Sequence, residues 1–201
     1  MTERLRRLRD RVRGLEDQNR PASALLTVRE ILRHHPDDGN ALMLEGRLLT
    51  TLLRYAEAEQ SFQRALPHFT GEMAHAVYRE LGHLYEAWGR LELALSQFEK
   101  VVELRPDHAA GHSHAGGILL RLGRFDEANA AHTRATRCVE GRVDEAYFKL
   151  GLALRATESF GEARAAFEQA LDLDPHYGDA REALADVVAA QQAQAESDEK
   201  S

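Results

Sequence analysis

The chain has 201 residues, 43% of them hydrophobic and 29% charged, with a formal net charge of −7 at pH 7. This composition is typical of a folded soluble protein, and the negative charge gives no general attraction to nucleic acid or to an anionic membrane surface. The N-terminus is charged and lacks the apolar segment of a signal peptide, and no stretch reaches the roughly 18 apolar residues of a membrane span. We therefore expect a cytoplasmic protein, and the dominance of arginine over lysine favours a GC-rich bacterial coding sequence.

Small and apolar residues recur along the chain in three columns with a period of about 34 residues. The first column is an alanine, and the other two lie four and seven residues after it. Spacings of four and three place all three columns on one face of a helix. The columns are Ala24, Ala58, Ala94, Ala128 and Ala163; Val28, Phe62, Phe98, His132 and Phe167; and Ile31, Ala65, Val101, Ala135 and Ala170.

From the second repeat onward, a glycine recurs upstream of each alanine. It marks the first helix of each repeat, whereas the alanine columns lie on the second helix. Glycine inside a helix costs about 1 kcal/mol relative to alanine, so its recurrence needs a packing reason. We expect two helices to approach closely there, with the large residue of the second column filling the space beside the glycine. His132 departs from this column and predicts either looser packing or a hydrogen bond. The glycines are Gly46, Gly82, Gly116 and Gly151.

These columns resemble the tetratricopeptide repeat, which they match best over residues 75–108 and 144–177. Prolines end the second helices of these repeats because proline cannot continue a helix. The matching positions are Tyr78, Leu81, Gly82, Tyr85, Ala94, Phe98 and Pro106 in the first stretch, and Tyr147, Leu150, Gly151, Leu154, Ala163, Phe167, Ala170 and Pro175 in the second.

The resemblance implies an all-α, right-handed α-solenoid of about five helix-turn-helix repeats in a single domain over residues 1–197. A capping helix over residues 178–194 is expected to cover the last apolar edge, and residues 195–201 are expected to be disordered. The repeats have approximate limits of 5–38, 39–74, 75–108, 109–143 and 144–177.

Two repeats depart from the pattern. The first is degenerate, because it has Arg11 where an apolar residue is expected and Val12 where a small one is. The second has no terminal proline and two extra residues around Pro67 to Gly71, which predicts a lengthened turn. Repeats three to five are therefore the regular part of the array.

The resemblance also implies a non-enzymatic scaffold or adaptor, without a cofactor, that binds a peptide or helical segment of a partner protein in a concave groove formed by the first helices. One alternative is a regulatory or substrate-docking module of an enzyme system, such as a glycosyl- or sulfotransferase. A second alternative is a self-assembling structural protein. The predicted groove residues are Arg47, Arg79, His83, His114, Phe148, Lys149 and Arg155.

The basic groove residues predict a partner with an acidic segment or a C-terminal carboxylate. Arg79, His83, His114 and Lys149 resemble in part the carboxylate clamp of chaperone-binding tetratricopeptide domains. Glu145 departs from that clamp, because it stands where a basic residue is expected and repels the same ligand.

Other residues that attract attention give no active or metal site. His108 and His112 have the i, i+4 spacing of paired metal ligands, but His108 lies at the turn after Pro106 and no zincin glutamate accompanies it. Cys138 lies at the end of a second helix without a cysteine partner. We therefore predict no catalytic residue and no metal.

The oppositely charged ends of the chain generate a prediction about assembly. Residues 1–36 carry nine arginines and five acids, whereas residues 178–201 carry two bases and six acids. If the ends associate head to tail, light scattering will give a mass above that of one chain, and the mass will fall as salt is added. A monomer at low salt would contradict this prediction.

Overall fold

A computed structural model describes residues 3–198, with side chains as far as Glu196. Within this range the chain forms α-helices and short 3₁₀ turns and no strand, which confirms the predicted all-α class. The helices are α1 (Glu3–Asp17), α2 (Pro21–His34), α3 (Gly39–Thr51), α4 (Tyr55–Ala65), α5 (His75–Ala87), α6 (Leu91–Leu104), α7 (Ala109–Arg121), α8 (Phe125–Thr136), α9 (Val143–Ala156), α10 (Phe160–Leu173) and α11 (Gly178–Asp198).

The chain divides into two compact units, one ending at Leu104 and the other beginning at Arg105. The first unit contains the antiparallel pairs α1–α2, α3–α4 and α5–α6. The second contains α7–α8, α9–α10 and the terminal helix α11. Each predicted repeat thus holds one helix pair, whereas the single domain over residues 1–197 stays a prediction.

The turn between the two helices of each pair has the same backbone geometry throughout. The residue two positions after the end of the first helix has a positive φ angle, at Asn19, Leu53, Gly89, Gly123 and Glu158. The next amide then donates back to a carbonyl in the last turn of the first helix, as Arg90 does to Tyr85 at 2.8 Å. This is the left-handed ending that reverses the chain after a helix.

The predicted glycine and ring columns meet inside the pairs. A Cβ atom added to Gly82 would lie 2.6 Å from the Phe98 ring, which is closer than any carbon–carbon contact allows. Gly46 with Phe62 and Gly151 with Phe167 have the same geometry. The glycines are therefore needed for the two helices of a pair to approach, as the sequence predicted.

The first pair replaces this contact with two medium-sized residues. Val12 stands in the glycine column and Val28 in the ring column, and their side chains are 2% and 0% exposed. A larger residue on one helix is thus matched by a smaller one on the other, which keeps the buried volume similar. The first pair, which is degenerate in sequence, is therefore packed by two valines in place of a glycine and a ring.

The predicted lengthened turn in the second repeat is confirmed as two short 3₁₀ helices, Leu66–His68 and Gly71–Ala74. They connect α4 to α5 directly after the buried residue Ala65.

Helix α11 covers the apolar end of the second unit. Ala183 and Val187 join the buried cluster that contains Leu154 and Phe167, and Leu184 packs against its border. The helix continues to Asp198, four residues past the predicted limit of 194. Residues 199–201 of the predicted tail lie outside the described residues.

His132 is the exception among the ring positions. It is 1% exposed and lies against Gly116, yet neither ring nitrogen has a hydrogen-bond partner within residues 3–198. Its packing is therefore as tight as that of the phenylalanines, and the hydrogen bond that we considered is not formed. Burial, assisted by the charge of Lys149, lowers the pKa of His132 to about 4.

Adjacent glycines in α7 provide a matched test of the close helix approach. We expect Gly116→Ala to destabilise the chain by about 1–3 kcal/mol, because the new Cβ would overlap the His132 ring. Gly117→Ala places its Cβ where no atom lies within 4 Å and should stabilise α7 by about 0.5–1 kcal/mol. Urea unfolding of both variants checks this, and equal effects would contradict it.

Replacement of His132 tests the buried imidazole. We expect His132→Phe to raise the free energy of unfolding at pH 7 by about 1–3 kcal/mol, because it removes two unpaired buried nitrogens. The unfolded chain binds a proton at His132 near pH 6.5, but the folded chain does so only near pH 4. The native protein should therefore lose about 3 kcal/mol as the pH falls between these values, and the variant should not.

Unfolding measured at several pH values separates this effect from the titration of carboxylates, which both proteins share. The exposed His176→Phe serves as the control and should keep the native pH dependence. A His132→Phe variant with unchanged pH dependence would contradict the prediction.

Candidate protein-binding surface

The seven predicted groove residues all lie on first helices and keep part of their side chains exposed. The first unit holds three of them and the second unit holds four. Their convergence on one ligand therefore stays a prediction. The residues are Arg47 on α3; Arg79 and His83 on α5; His114 on α7; and Phe148, Lys149 and Arg155 on α9.

In the first unit the predicted cations lie beside acidic partners. Arg47 pairs with Glu16 of α1 at 3.3 Å, an ion pair that connects two first helices. Arg79 lies 3.2 Å from Glu80. The side chains of Arg47 and Arg79 are 52% and 40% exposed. The two ion pairs therefore contribute little to stability and exchange readily with solvent or ligand.

His83 has two neighbours in the same unit. Its Nδ1 atom lies 3.6 Å from a Glu86 carboxylate oxygen, and its ring meets the edge of the Phe98 ring with centroids 5.2 Å apart. The imidazole is therefore held above the buried ring that closes the α5–α6 pair.

In the second unit Glu145 pairs with a predicted ligand-binding cation. Its carboxylate lies 2.8 Å from the Lys149 ammonium, one helical turn away on α9. The hydrogen bond from Lys149 lowers the pKa of Glu145, and the charges of Arg142 and His114 lower it further. A ligand carboxylate at Lys149 must therefore compete with Glu145. Glu145 occupies the position where the carboxylate clamp described above has a basic residue.

Phe148 belongs to an aromatic cluster on the same face of α9. Its ring centroid is 5.9 Å from that of buried Phe167 and 5.0 Å from that of Tyr177. Phe148 and Tyr177 are both half-buried, so the cluster presents an apolar patch fixed to the core. Tyr177 was not among the predicted site residues, although an aromatic residue in an otherwise polar turn between Pro175 and α11 was a usable signal.

Arg155 connects α9 to the terminal helix through an ion pair with Asp186 at 3.5 Å. It therefore borders the Phe148 surface on the side of α11.

The rejected metal candidates have structural partners. His108 caps α7, with Nδ1 accepting from the Ala110 amide at 3.3 Å, and His112 Nε2 donates to the Pro106 carbonyl at 2.9 Å. Cys138 is half-buried, and this burial raises the pKa of its thiol. Within residues 3–198 no cluster of three or more His, Cys, Asp or Glu side chains is arranged to hold a metal ion.

The helices in the described part of the chain do not have the features of a membrane span. None of those within residues 3–198 combines the length and the apolar character that crossing a membrane requires.

Solved structures with the same fold include several repeat proteins. YrrB, described as a TPR protein with an unusual peptide-binding site, is 22% identical with a TM-score of 0.62, covering 86% of this chain and 87% of its own. TTC0263, a thermophilic TPR protein of Thermus thermophilus, is 22% identical with a TM-score of 0.67. The match covers 92% of this chain and 98% of that protein's chain. The C-terminal part of a TPR protein from Cytophaga hutchinsonii is 17% identical with a TM-score of 0.74. The match covers 92% of this chain and 72% of that structure's chain.

Two curated relatives are much longer proteins. Protein O-mannosyl-transferase TMTC3 of Homo sapiens is 26% identical over an alignment 177 residues long, and the match covers 82% of this chain and 19% of the relative. Its Drosophila melanogaster namesake is 31% identical over an alignment 124 residues long, and the match covers 55% of this chain and 13% of the relative. The chain thus spans less than a fifth of the length of these relatives.

The family itself is identified by sequence profiles described as tetratricopeptide repeat. One profile matches residues 9–72 and 79–143, and a second matches residues 144–177. Together they cover the five helix pairs, whose glycine and ring columns carry the same pattern. The chain therefore belongs to the tetratricopeptide repeat family, whose members are protein–protein interaction modules.

Proposed function

We propose that this chain is a non-enzymatic adaptor that binds a peptide segment of a partner protein on the first helices of its repeats. The observation that carries the proposal is the partly exposed aromatic patch of Phe148 and Tyr177 on the second unit. Aromatic residues that are anchored in the core and partly exposed are typical centres of protein-binding surfaces.

The surroundings of the patch favour a ligand of mixed character. Lys149 and Glu145 stand beside Phe148 on α9, and Arg155 lies on the same helix. Because Lys149 is paired with Glu145, the surface offers both a donor and an acceptor to a ligand. An apolar anchor residue flanked by polar groups fits this arrangement better than a bare C-terminal carboxylate does.

A second candidate function is docking for a transferase. The similarity to a segment of O-mannosyl-transferase TMTC3 over 82% of this chain favours it. In that role the same first-helix surfaces would hold a transferase or its protein substrate. Material captured with the chain would then contain glycosyl- or sulfotransferase activity, and capture of material without such activity would count against this candidate.

The proposal is tested by capture of partners from native cell extract, followed by titration of the captured partner. We expect Phe148→Ala to weaken binding by about tenfold or more, as removal of a central aromatic anchor does. Lys149→Ala and Arg79→Ala should weaken binding less, because both cations are already paired within the chain. Helix content and melting temperature are measured for each variant.

Phe125→Ala is the matched control. Phe125 is 44% exposed but lies at the start of the second helix α8, away from the first-helix surfaces. It should leave the affinity unchanged. Equal affinities for the native chain and for the Phe148, Lys149 and Arg79 variants would overturn the proposed function.

A further inference from the structure

The first helix pair has a second exposed side, on the flank of α1 that faces away from α3. Arg9 and Glu16 form ion pairs with α3 and its capping residue, so they mark the side of α1 that meets this helix. Arg11 lies about 200° around the helix from Arg9. Arg4 precedes Arg11 by two helical turns, so the two arginines share the opposite flank. This outer flank lies apart from the predicted groove residues.

Three guanidinium groups surround one carboxylate on the outer flank. Arg4 Nη2 lies 3.0 Å from Glu30 Oε1 on α2. The hydrogen bond from Arg4 lowers the pKa of Glu30, and the charges of Arg11 and Arg33 lower it further. Neither Arg11 nor Arg33 has an ion pair of its own within residues 3–198. The arginine cluster of Arg4, Arg11 and Arg33 therefore keeps two positive charges in excess over Glu30.

The arginine cluster is open to solvent and has an apolar neighbour. The side chain of Arg4 is 65% exposed, and Arg11 and Arg33 are exposed as well. Leu26 lies one helical turn before Glu30 on α2 and is 68% exposed. A ligand can therefore reach the cations and an apolar side chain on one surface without displacing any buried residue.

From this geometry we infer that the outer flank of the first pair binds a phosphorylated segment of a partner protein, with the phosphoryl group on the arginine cluster and an adjacent apolar residue on Leu26. A phosphorylated side chain carries about −1.5 to −2 charges at pH 7, which matches the excess of the cluster. Its oxygens also accept the paired N–H donors of a guanidinium. The inference goes beyond the proposed function, because this surface shares no residue with the Phe148 patch.

A nucleic acid also presents phosphates, but it repeats them along a strand and requires a continuous track of cations. The outer side of α1 does not continue the cluster in this way. Arg7 is paired with Glu3 at 3.1 Å, and Asp10 and Asp17 are exposed on the same helix. The net charge of −7 opposes a polyanion as well. A segment with one phosphoryl group fits this compact cluster better.

Fluorescence anisotropy of the full chain with labelled twelve-residue peptides tests the inference. The first peptide has phosphoserine next to leucine, the second has unmodified serine, and the third has phosphoserine but serine in place of leucine. We expect saturable binding of the first peptide, which weakens as salt is added. The second peptide should bind at least about tenfold more weakly, and the third about fivefold more weakly.

Three variants with one charge change each locate the peptide. Arg11→Ala and Arg33→Ala should each weaken binding of the first peptide by about tenfold, because each removes a donor to the phosphoryl group. Glu30→Gln should tighten binding by about threefold, because it removes the carboxylate that competes for Arg4. The matched control is Arg13→Ala, which removes an exposed arginine from the α3 side of the same helix and should change the affinity less than about twofold.

The inference is overturned if the first peptide does not bind at millimolar concentration, if its unphosphorylated form binds equally well, or if Arg11→Ala and Arg13→Ala behave alike. Displacement of the peptide by an equal concentration of inorganic phosphate, or tighter binding of single-stranded DNA, would exclude a protein segment as the ligand. Phe148→Ala should leave this affinity unchanged. Loss of binding in that variant would move the peptide to the second unit and contradict the inference, while the proposed function would stand.

Failure of the proposed function is seen separately. A captured partner whose affinity does not depend on Phe148, Lys149 or Arg79 would overturn that function, and binding of the phosphoserine peptide at Arg11 and Arg33 would be unaffected.

Discussion

The contact between a glycine on the first helix and a ring on the second is the constraint on which each regular pair depends. The ring touches the backbone so closely that even a methyl group on the first helix would overlap it, as at Gly82 and Phe98. Because this contact is internal to each pair, the exposed side of the first helix takes no part in it. That side is free to vary in chemistry, which is how one scaffold presents different surfaces to different partners.

Charge on the first-helix surfaces is mostly balanced within the molecule. Lys149 has Glu145 and Arg47 has Glu16, so neither cation attracts a ligand carboxylate without losing an existing partner. An acidic ligand must therefore compete with Glu145 for Lys149 and with Glu16 for Arg47. Counting basic residues on a face is therefore a poor guide to ligand charge, because the pairing decides how much of that charge a ligand meets.

The sequence predicted the helix pairs and their contacts well because helical periodicity and the cost of glycine are local properties. It did not predict which charges pair, since Arg9 and Asp38 are 29 residues apart and meet only after α1 and α3 take their places. Buried Glu45 illustrates the same limit. It stands in a column that holds Leu81, Ala115 and Leu150 in the later repeats. It is tolerated because Arg29 and Ser61 lie 2.9 and 3.0 Å from its carboxylate oxygens.

Asp38 holds two elements with one carboxylate. One oxygen accepts from the Ala41 amide at 3.1 Å and caps α3, while the other accepts from Arg9 of α1 at 2.7 Å. Fraying of the start of α3 and detachment of α1 are therefore coupled, because either event removes a hydrogen bond that orients the carboxylate for the other. The N-terminal end of the array should open as one cooperative segment, with solvent exchange at the Ala41 amide following the release of Arg9.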